Sequence, residues 1–182
     1  MGGRLAGRPF VGVYASDLKR ALETAEVIGR VLGLKPEPTR ALREIYLGEW
    51  EGLRTEEIAE RFPQAWAAWV EDPDWDVVPG GEGAGVFGAR VGAALDELFV
   101  RHPHGDVLVV THGGVIQMAL HRIVGRPSRG LFPFQIQNAS VSVLEKRDGR
   151  MVIAGVNDIA HLEACLQRQP GVRGFQDSAA DS

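Results

Sequence analysis

A histidine lies at the end of an apolar run, where a side chain could meet an anion. His112 belongs to the motif Thr111-His112-Gly113-Gly114, which also opens a helical pattern. Ligands bind at the carboxyl ends of strands in open α/β sheets, and a helix start offers free N–H groups and a positive dipole end. Glycine lets the backbone approach an anion closely. The pattern therefore favours a functional role for His112, with Gly113 beside it, over a structural one.

A cation follows a second apolar run. The segment Ser16-Asp17-Leu18-Lys19-Arg20-Ala21 has the same order of strand end, polar residues and helix start. Arg20 falls in the first helical turn, from which it can bend toward the strand end. Its planar guanidinium can hold two phosphate oxygens at once. A cation at a helix N-terminus is otherwise mildly unfavourable, which favours an anion ligand over a surface arginine.

Three carboxyl groups could act as a proton donor. Glu44 stands between the apolar residues Leu42 and Ile45, whereas Glu49 and Glu51 flank a tryptophan a few residues later. Apolar surroundings favour the protonated form of a carboxyl group, which can then protonate a leaving oxygen. On composition alone the three glutamates remain alternatives.

Hydrophobic periodicity predicts the elements that position these residues. It indicates strands at 10–15 and 107–111, helices at 18–32, 82–101 and 113–124, a helical stretch at 55–70 that Pro63 splits, and a hairpin of 140–146 with 151–156 around Asp148-Gly149. Ser16 or Asp17 is expected to cap the first helix, Gly33 to end it, and 35–43 to be an extended connection. The resulting fold class is α/β, a three-layer sandwich in which helices cover both faces of a mostly parallel mixed sheet, with the hairpin at its edge.

Length and composition indicate one globular domain, assigned to residues 1–162, followed by a disordered polar tail at 163–182. The 182 residues are 45% hydrophobic and 24% charged, and the net charge is −4. No basic stripe indicates a nucleic-acid partner. Neither an 18-residue apolar run nor a signal peptide is apparent, so no membrane partner is expected. A single cysteine, Cys165, excludes an internal disulfide and fits a cytoplasmic protein.

An ordered series of motifs resembles the histidine phosphatase (phosphoglycerate-mutase-like) superfamily over about residues 4–162. The matching motifs are Ser16-Asp17-Leu18-x-Arg20-Ala21, Leu42-x-Glu44 with Gly48-Glu49-Trp50-Glu51-Gly52, Pro79-Gly80-Gly81-Glu82, Thr111-His112-Gly113-Gly114, Asn138-Ala139-Ser140, and Asn157-Asp158 with His161-Leu162. Each motif is weak alone, but six in the same order are specific.

The resemblance implies a phosphomonoesterase that works through a phosphohistidine on a small phosphorylated metabolite, without metal or cofactor. Arg20 and Gly113 would bind the phosphoryl group. Glu44 would be the proton donor, and His112 would be the second pocket histidine that stabilises the transferring group. Small phosphorylated metabolites and inorganic phosphate are the expected partners, and a homodimer is the oligomer considered.

One family motif has no match. The family carries an Arg-His-Gly motif at the end of a first, internal strand, and its histidine is the nucleophile; here no histidine precedes His102. Arg101-His102-Pro103 is no substitute, because it precedes a strand instead of following one. We therefore expect a chain that lacks this strand through N-terminal truncation, and that is inactive or impaired as it stands.

Three other functions compete with this hypothesis. A non-catalytic phospholigand-binding pseudoenzyme would keep Arg20 and His112 without a nucleophile. A phosphoglycerate mutase is less favoured, because the segment between Glu44 and the Gly80-Gly81 loop is short. A dinucleotide-binding oxidoreductase would use Gly83-x-Gly85-x-x-Gly88, but no predicted strand leads into that motif.

Overall fold

The computed structural model describes residues 2–126, 130 and 133–162. The helices are α1 (Gly2–Leu5), α2 (Lys19–Leu32), α3 (Thr55–Arg61), α4 (Pro63–Glu71), α5 (Gly83–Arg101) and α6 (Gly113–Val124). The strands are β1 (Phe10–Ser16), β2 (Glu37–Thr39), β3 (Asp106–Val110), β4 (Val141–Arg147) and β5 (Arg150–Asp158). Cys165 and the tail expected from residue 163 lie outside the described residues.

A parallel sheet of the order β2-β1-β3 forms the centre of the α/β fold. In it Ala15 is level with Pro38 on one side and with Val110 on the other. Proline is tolerated at Pro38 because β2 is an edge strand, where a missing N–H leaves no central hydrogen bond unmade.

Alternate residues of β1 face opposite layers of helices, as the two-residue period of a strand requires. Val13 and Ala15 pack with Ala25 of α2. Tyr14 belongs to the opposite cluster, with Phe87 and with other buried residues of α5 and α6. Phe87 is fully buried, which contributes about 1.5–3 kcal/mol to the free energy of unfolding. The helices on both faces of the sheet confirm the predicted layers.

Local sequence signals account for several element boundaries. Gly33 ends α2 in the left-handed region at φ 70°, and its N–H donates to the carbonyl of Gly29. Pro63 begins α4 directly after α3, which confirms the predicted split. Asp148 and Gly149 both have positive φ at the tip of the β4–β5 hairpin, as a two-residue turn demands.

Three expectations about local structure need correction. β4 and β5 form a separate two-stranded antiparallel sheet, so among the described strands they are not a mixed edge of the parallel sheet. The connection at 35–43 contains the short strand β2 and a 3₁₀ turn at Arg40–Leu42. The residue that caps α2 is Leu18, which provides no side-chain bond.

Within the described residues, no helix combines the length and the apolar character needed to cross a membrane.

Candidate active site

Two strand-to-helix junctions lie side by side because β1 and β3 are parallel neighbours. Ala15 is in register with Val110, so Ser16 and His112, just beyond, end up next to each other. Ser16 is completely buried and His112 is 8% exposed. The Nε2 atom of His112 lies 2.8 Å from Oγ of Ser16, within hydrogen-bond distance. Ser16 Oγ also accepts the N–H of Leu18, at 3.3 Å, which ties the bond to the turn before α2.

His112 lies in positively charged surroundings. Burial, followed by the charges of Arg20 and Arg90, lowers the pKa of His112 from 6.5 to about 4. The imidazole is therefore neutral near pH 7 in the unliganded chain. The guanidinium of Arg20 lies in the first turn of α2, where the side chain is exposed to solvent. It forms no ion pair with any other residue that the structure describes.

The carboxylate of Glu44 lies against the start of α6. Its Oε2 accepts the N–H of Gly114 at 3.0 Å, and its Oε1 accepts the N–H of Ile45 at 3.0 Å. The first N–H groups of a helix have no acceptor within the helix, and an anion there is favoured by the dipole. The sequence pattern predicts N–H groups that are free for a ligand anion, and at Gly114 that prediction is wrong.

The two glycines that begin α6 have different surroundings. A Cβ built on Gly114 would overlap Oε1 of Glu44 and lie 3.0 Å from its Cδ. A Cβ built on Gly113 would meet nothing within 4 Å. Only the absence of a side chain at Gly114 therefore allows Glu44 its position, whereas the backbone at Gly113 borders open space.

The other two candidate proton donors lie away from this helix start. Glu49 and Glu51 are exposed. The Oε1 of Glu51 accepts the N–H of Leu47 at 2.9 Å, within its own loop. Of the three glutamates, Glu44 is the one that the structure brings to the two junctions.

Asp17 is bound to the segment that carries Glu44. Arg43 donates to its two carboxylate oxygens, from Nε at 2.6 Å and from Nη2 at 2.7 Å. These hydrogen bonds hold the pKa of Asp17 below its usual range. Asp17 therefore joins the end of β1 to the Glu44 segment instead of capping α2 as expected.

Arg90 and Glu82 hold the same segment from the side of α5. Arg90 donates to the carbonyls of Ala41 and Arg43, and Glu82 accepts the N–H of Tyr46. The sequence motifs include Glu82 only as part of a family pattern, and they do not single out Arg90 or Arg43 as site residues. Arg90 bonds largely to main-chain carbonyls, and Arg43 bonds to a carboxylate 26 residues away, so the spacing of residue types does not indicate either contact.

The four remaining histidines serve other parts of the fold. His102 bonds to the hydroxyl of Tyr14 at 2.7 Å, and His121 packs on Phe134. His161 lies beside Arg4, and His104 is exposed. Of the five histidines of the chain, all of them described, His112 is the one that lies with Arg20 and Glu44.

The tryptophans near the site pack on one another. Trp50 contacts Trp66 and Trp69 edge to face, and Trp69 contacts Trp75. Trp50 and Trp75 are buried in the larger core cluster. The four tryptophan rings therefore pack together as part of the core. Within the described ranges, no group of three or more His, Cys, Asp or Glu side chains is arranged to hold a metal ion.

Comparison with known proteins shows the family to which the chain belongs. The family model for the histidine phosphatase superfamily (branch 1) matches residues 1–159. The chain belongs to this superfamily. It is 35% identical over 167 residues to the metal-independent phosphoserine phosphatase of Arabidopsis thaliana, which covers 90% of this chain and 68% of that relative. The prediction made from the six ordered motifs is thereby confirmed.

Solved structures of histidine phosphatase relatives share the fold. YhfR of Bacillus stearothermophilus superposes with a TM-score of 0.79 at 29% identity, covering 88% of this chain and 80% of that one. Mycobacterial glucosyl-3-phosphoglycerate phosphatase, in complex with inorganic phosphate, superposes with a TM-score of 0.70 at 29% identity. That match covers 81% of this chain and 77% of the other.

Proposed function

We propose that this histidine phosphatase chain binds the phosphoryl group of a small phosphorylated metabolite and takes part in its hydrolysis. The observation that supports this proposal most directly is the hydrogen bond between His112 and Ser16. It joins the junction that bears Arg20 to the junction that holds Glu44. The relatives support the substrate class. One is named a phosphoserine phosphatase, and a neighbour in structure was solved with inorganic phosphate.

Charge favours a phosphate between the two junctions. Burial is the largest cause of the lowered pKa of His112, and the charges of Arg20 and Arg90 disfavour its protonated form further. A bound phosphate would offset this repulsion and would allow His112 to donate a hydrogen bond from a protonated ring. Arg20 supplies a planar fork for two oxygens, and the open backbone at Gly113 leaves room beside it. These groups would stabilise the charge of the transferring phosphoryl group.

Glu44 would supply the proton. The bonds from Gly114 and Ile45 hold its carboxyl group in one place at the edge of the same space. In the proposed reaction a histidine nitrogen attacks phosphorus, the ester P–O bond breaks, and Glu44 protonates the leaving oxygen. Water then attacks the phosphohistidine, its proton passes to Glu44, and the P–N bond breaks to release inorganic phosphate.

The nucleophilic histidine would come from a segment outside the described residues, paired with the outer edge of β3. In the described sheet β3 has one partner, β1. The residues from Val107 to Val110 are all apolar yet only half-buried, although central strands of parallel sheets are normally covered on both faces. An added strand beside β3 would end next to His112, because parallel strands end at the same edge of a sheet.

A non-catalytic phospholigand-binding protein is the second candidate. It is favoured by the placement of the histidines, since four of the five are engaged or exposed away from Arg20 and Glu44. Such a chain would bind phosphate and turn nothing over.

Two measurements on the purified chain test the candidates, and the second separates them. The first is phosphate-dependent thermal stabilisation, which both candidates predict. The second is release of inorganic phosphate from p-nitrophenyl phosphate, by the chain alone and by a form extended with the residues encoded directly upstream of Met1. Turnover by the extended form that is abolished in His112→Ala supports the phosphatase. Binding without turnover in both forms supports the second candidate, and absence of any phosphate effect contradicts both.

A further inference from the structure

Arg90 bonds to the main chain on one side of Glu44. From α5 its Nη1 donates to the carbonyls of Ala41 at 3.0 Å and Arg43 at 2.8 Å. Its Nη2 approaches the carbonyl of Glu44 itself at 3.4 Å. The guanidinium lies over the ring of Phe87, 5.0 Å from its centre, and its side chain is 22% exposed. Arg90 therefore supplies hydrogen-bond donors to the carbonyls of the two residues that flank Leu42, whose side chain is buried.

Glu82 bonds to the main chain on the other side of Glu44. Its Oε1 accepts the N–H of Tyr46 at 2.8 Å, and its own N–H donates to the carbonyl of Tyr46 at 3.0 Å. The same carboxylate accepts from Arg90, whose Nε lies 3.1 Å from Oε2. The Glu82 side chain is only 14% exposed. Glu82 and Arg90 thus form one unit, the Glu82–Arg90 pair, that contacts residues 41, 43, 44 and 46.

We propose that the Glu82–Arg90 pair positions Glu44, so that its carboxylate stays at the start of α6. With the main chain held on both sides, only the side-chain torsions of Glu44 remain free, and the N–H of Gly114 fixes these. The consequence for catalysis rests on the proposed function, because only there does Glu44 donate a proton. A displacement of about 1 Å at such a group can lower a rate by about 100-fold.

The arginine cannot be replaced by lysine if this is correct. Arg90 uses several N–H groups in fixed directions, toward two carbonyls and one carboxylate, and a lysine ammonium is a single point charge on a flexible stem. Arg90→Lys therefore keeps the charge and removes the positioning. Glu82→Gln keeps the shape and removes the charge from the other partner.

Arg122 offers a matched control. Arg122 lies in α6 and bonds to two residues of α5, the carboxylate of Asp96 at 2.8 and 2.9 Å and the carbonyl of Gly92 at 2.6 Å. It has the same chemistry and a similar loss is expected in Arg122→Lys. Its contacts in the structure do not include the segment that carries Glu44.

The experiment follows the amide of Gly114 by hydrogen exchange, because this N–H has Glu44 as its acceptor at a helix start without an internal one. We expect Arg90→Lys to speed its exchange by about tenfold or more, and Glu82→Gln to speed it by a smaller factor. Arg122→Lys should leave it within twofold of the original chain. An unchanged Gly114 amide in both Arg90→Lys and Glu82→Gln overturns the proposal, and so does an equal effect of Arg122→Lys. Should Arg90→Lys fail to fold, Glu82→Gln alone decides by the same criterion.

Phosphate titration keeps this result apart from the proposed function. If the original chain binds no phosphate, the proposed function fails, yet the Gly114 amide still reports on the positioning of Glu44. In a form that hydrolyses p-nitrophenyl phosphate, Arg90→Lys should lower kcat by at least about tenfold with a smaller change in KM, and Arg122→Lys should change neither. A loss confined to KM contradicts the positioning role.

Discussion

The two strand-to-helix junctions share a construction and differ in what occupies the helix start. Both α2 and α6 begin directly after a strand of the parallel sheet, and neither has a side-chain cap from its own N-cap residue. At α6 the carboxylate of Glu44 takes the N–H of Gly114. At α2 the first turn carries the guanidinium of Arg20 instead. Two similar backbones thus hold an acid at one junction and a cation at the other.

The sequence pattern alone predicts anion binding at both helix starts, whereas the structure gives the two junctions different tasks. A helix start can attract any anion, and at α6 the chain provides one of its own. The cation at α2 has no such internal partner among the described residues, which leaves it for a ligand. The comparison therefore predicts that changes at α2 affect ligand affinity, whereas changes at α6 affect the position of Glu44.

The largest expected effect concerns the pH dependence of stability through His112. In the folded chain the pKa of His112 is lowered to about 4, whereas the unfolded chain has the ordinary value of 6.5. Between these values the unfolded state binds more protons, so the free energy of unfolding falls as pH drops through this window. The loss is up to roughly 3 kcal/mol at pH 4 relative to pH 7.

Urea unfolding of the original chain and of His112→Gln at both pH values measures this loss. His161, whose pKa burial also lowers, titrates in both proteins and cancels in the difference. His104→Gln, at an exposed position, serves as the control and should keep the full slope. An equal slope in His112→Gln and in the original chain contradicts the prediction.

Arg20→Ala should weaken phosphate binding by about 10- to 100-fold, the range for loss of a charge-assisted hydrogen bond. The free energy of unfolding should change by less than about 0.5 kcal/mol, because the side chain is exposed. Calorimetric titration with inorganic phosphate measures the affinity. Arg30→Ala, in the last turn of the same helix, is the matched control and should bind phosphate as the original chain does. Similar affinities for the two variants would place the ligand elsewhere.

Gly114→Ala should displace Glu44 from α6, because the new methyl group overlaps its carboxylate. We expect the free energy of unfolding to fall by about 1–2 kcal/mol through the lost bond to a charged acceptor. Gly85→Ala, whose added methyl meets nothing within 4 Å in α5, should instead raise it by up to about 1 kcal/mol. Thermal or urea unfolding compares the two variants. Stabilisation by both alanines would mean that Glu44 does not need the space at Gly114.

Ser16→Ala should have the smallest effect, about 0.5–1.5 kcal/mol in the free energy of unfolding, because it removes the buried bond to His112 together with the longer bond from the N–H of Leu18. A double-mutant cycle with His112→Gln isolates the contact between the two junctions. We expect a coupling of about 1 kcal/mol. Strictly additive effects would show that the bond does not join the junctions energetically.

The sequence predicts local features of this fold well. Gly33, Pro63 and the Asp148-Gly149 turn lie where the structure ends a helix, divides a helix and reverses a strand. Each of these signals acts through the backbone of the residue itself. The family was likewise recognisable, because six short motifs occur in a fixed order.

Contacts between distant segments were the part that could not be predicted. Asp17 pairs with Arg43 instead of capping α2. The sequence does not indicate this pair, because Arg43 lies 26 residues away and only the fold brings it close. The hairpin β4–β5 has the expected strands, but a pattern of residue types does not specify which sheet they join. No sequence motif indicates Arg90, because its partners are mostly carbonyl groups.

The central claim is that a phosphate binds between the two junctions, beside His112. NMR titration of the His112 imidazole, with and without inorganic phosphate, tests this claim most directly. We predict a pKa of about 4 in the free chain, lowered first by burial and then by the charges of Arg20 and Arg90, and a higher pKa with saturating phosphate, because the anion offsets those two charges. An identical titration of His112 with and without phosphate would contradict the account.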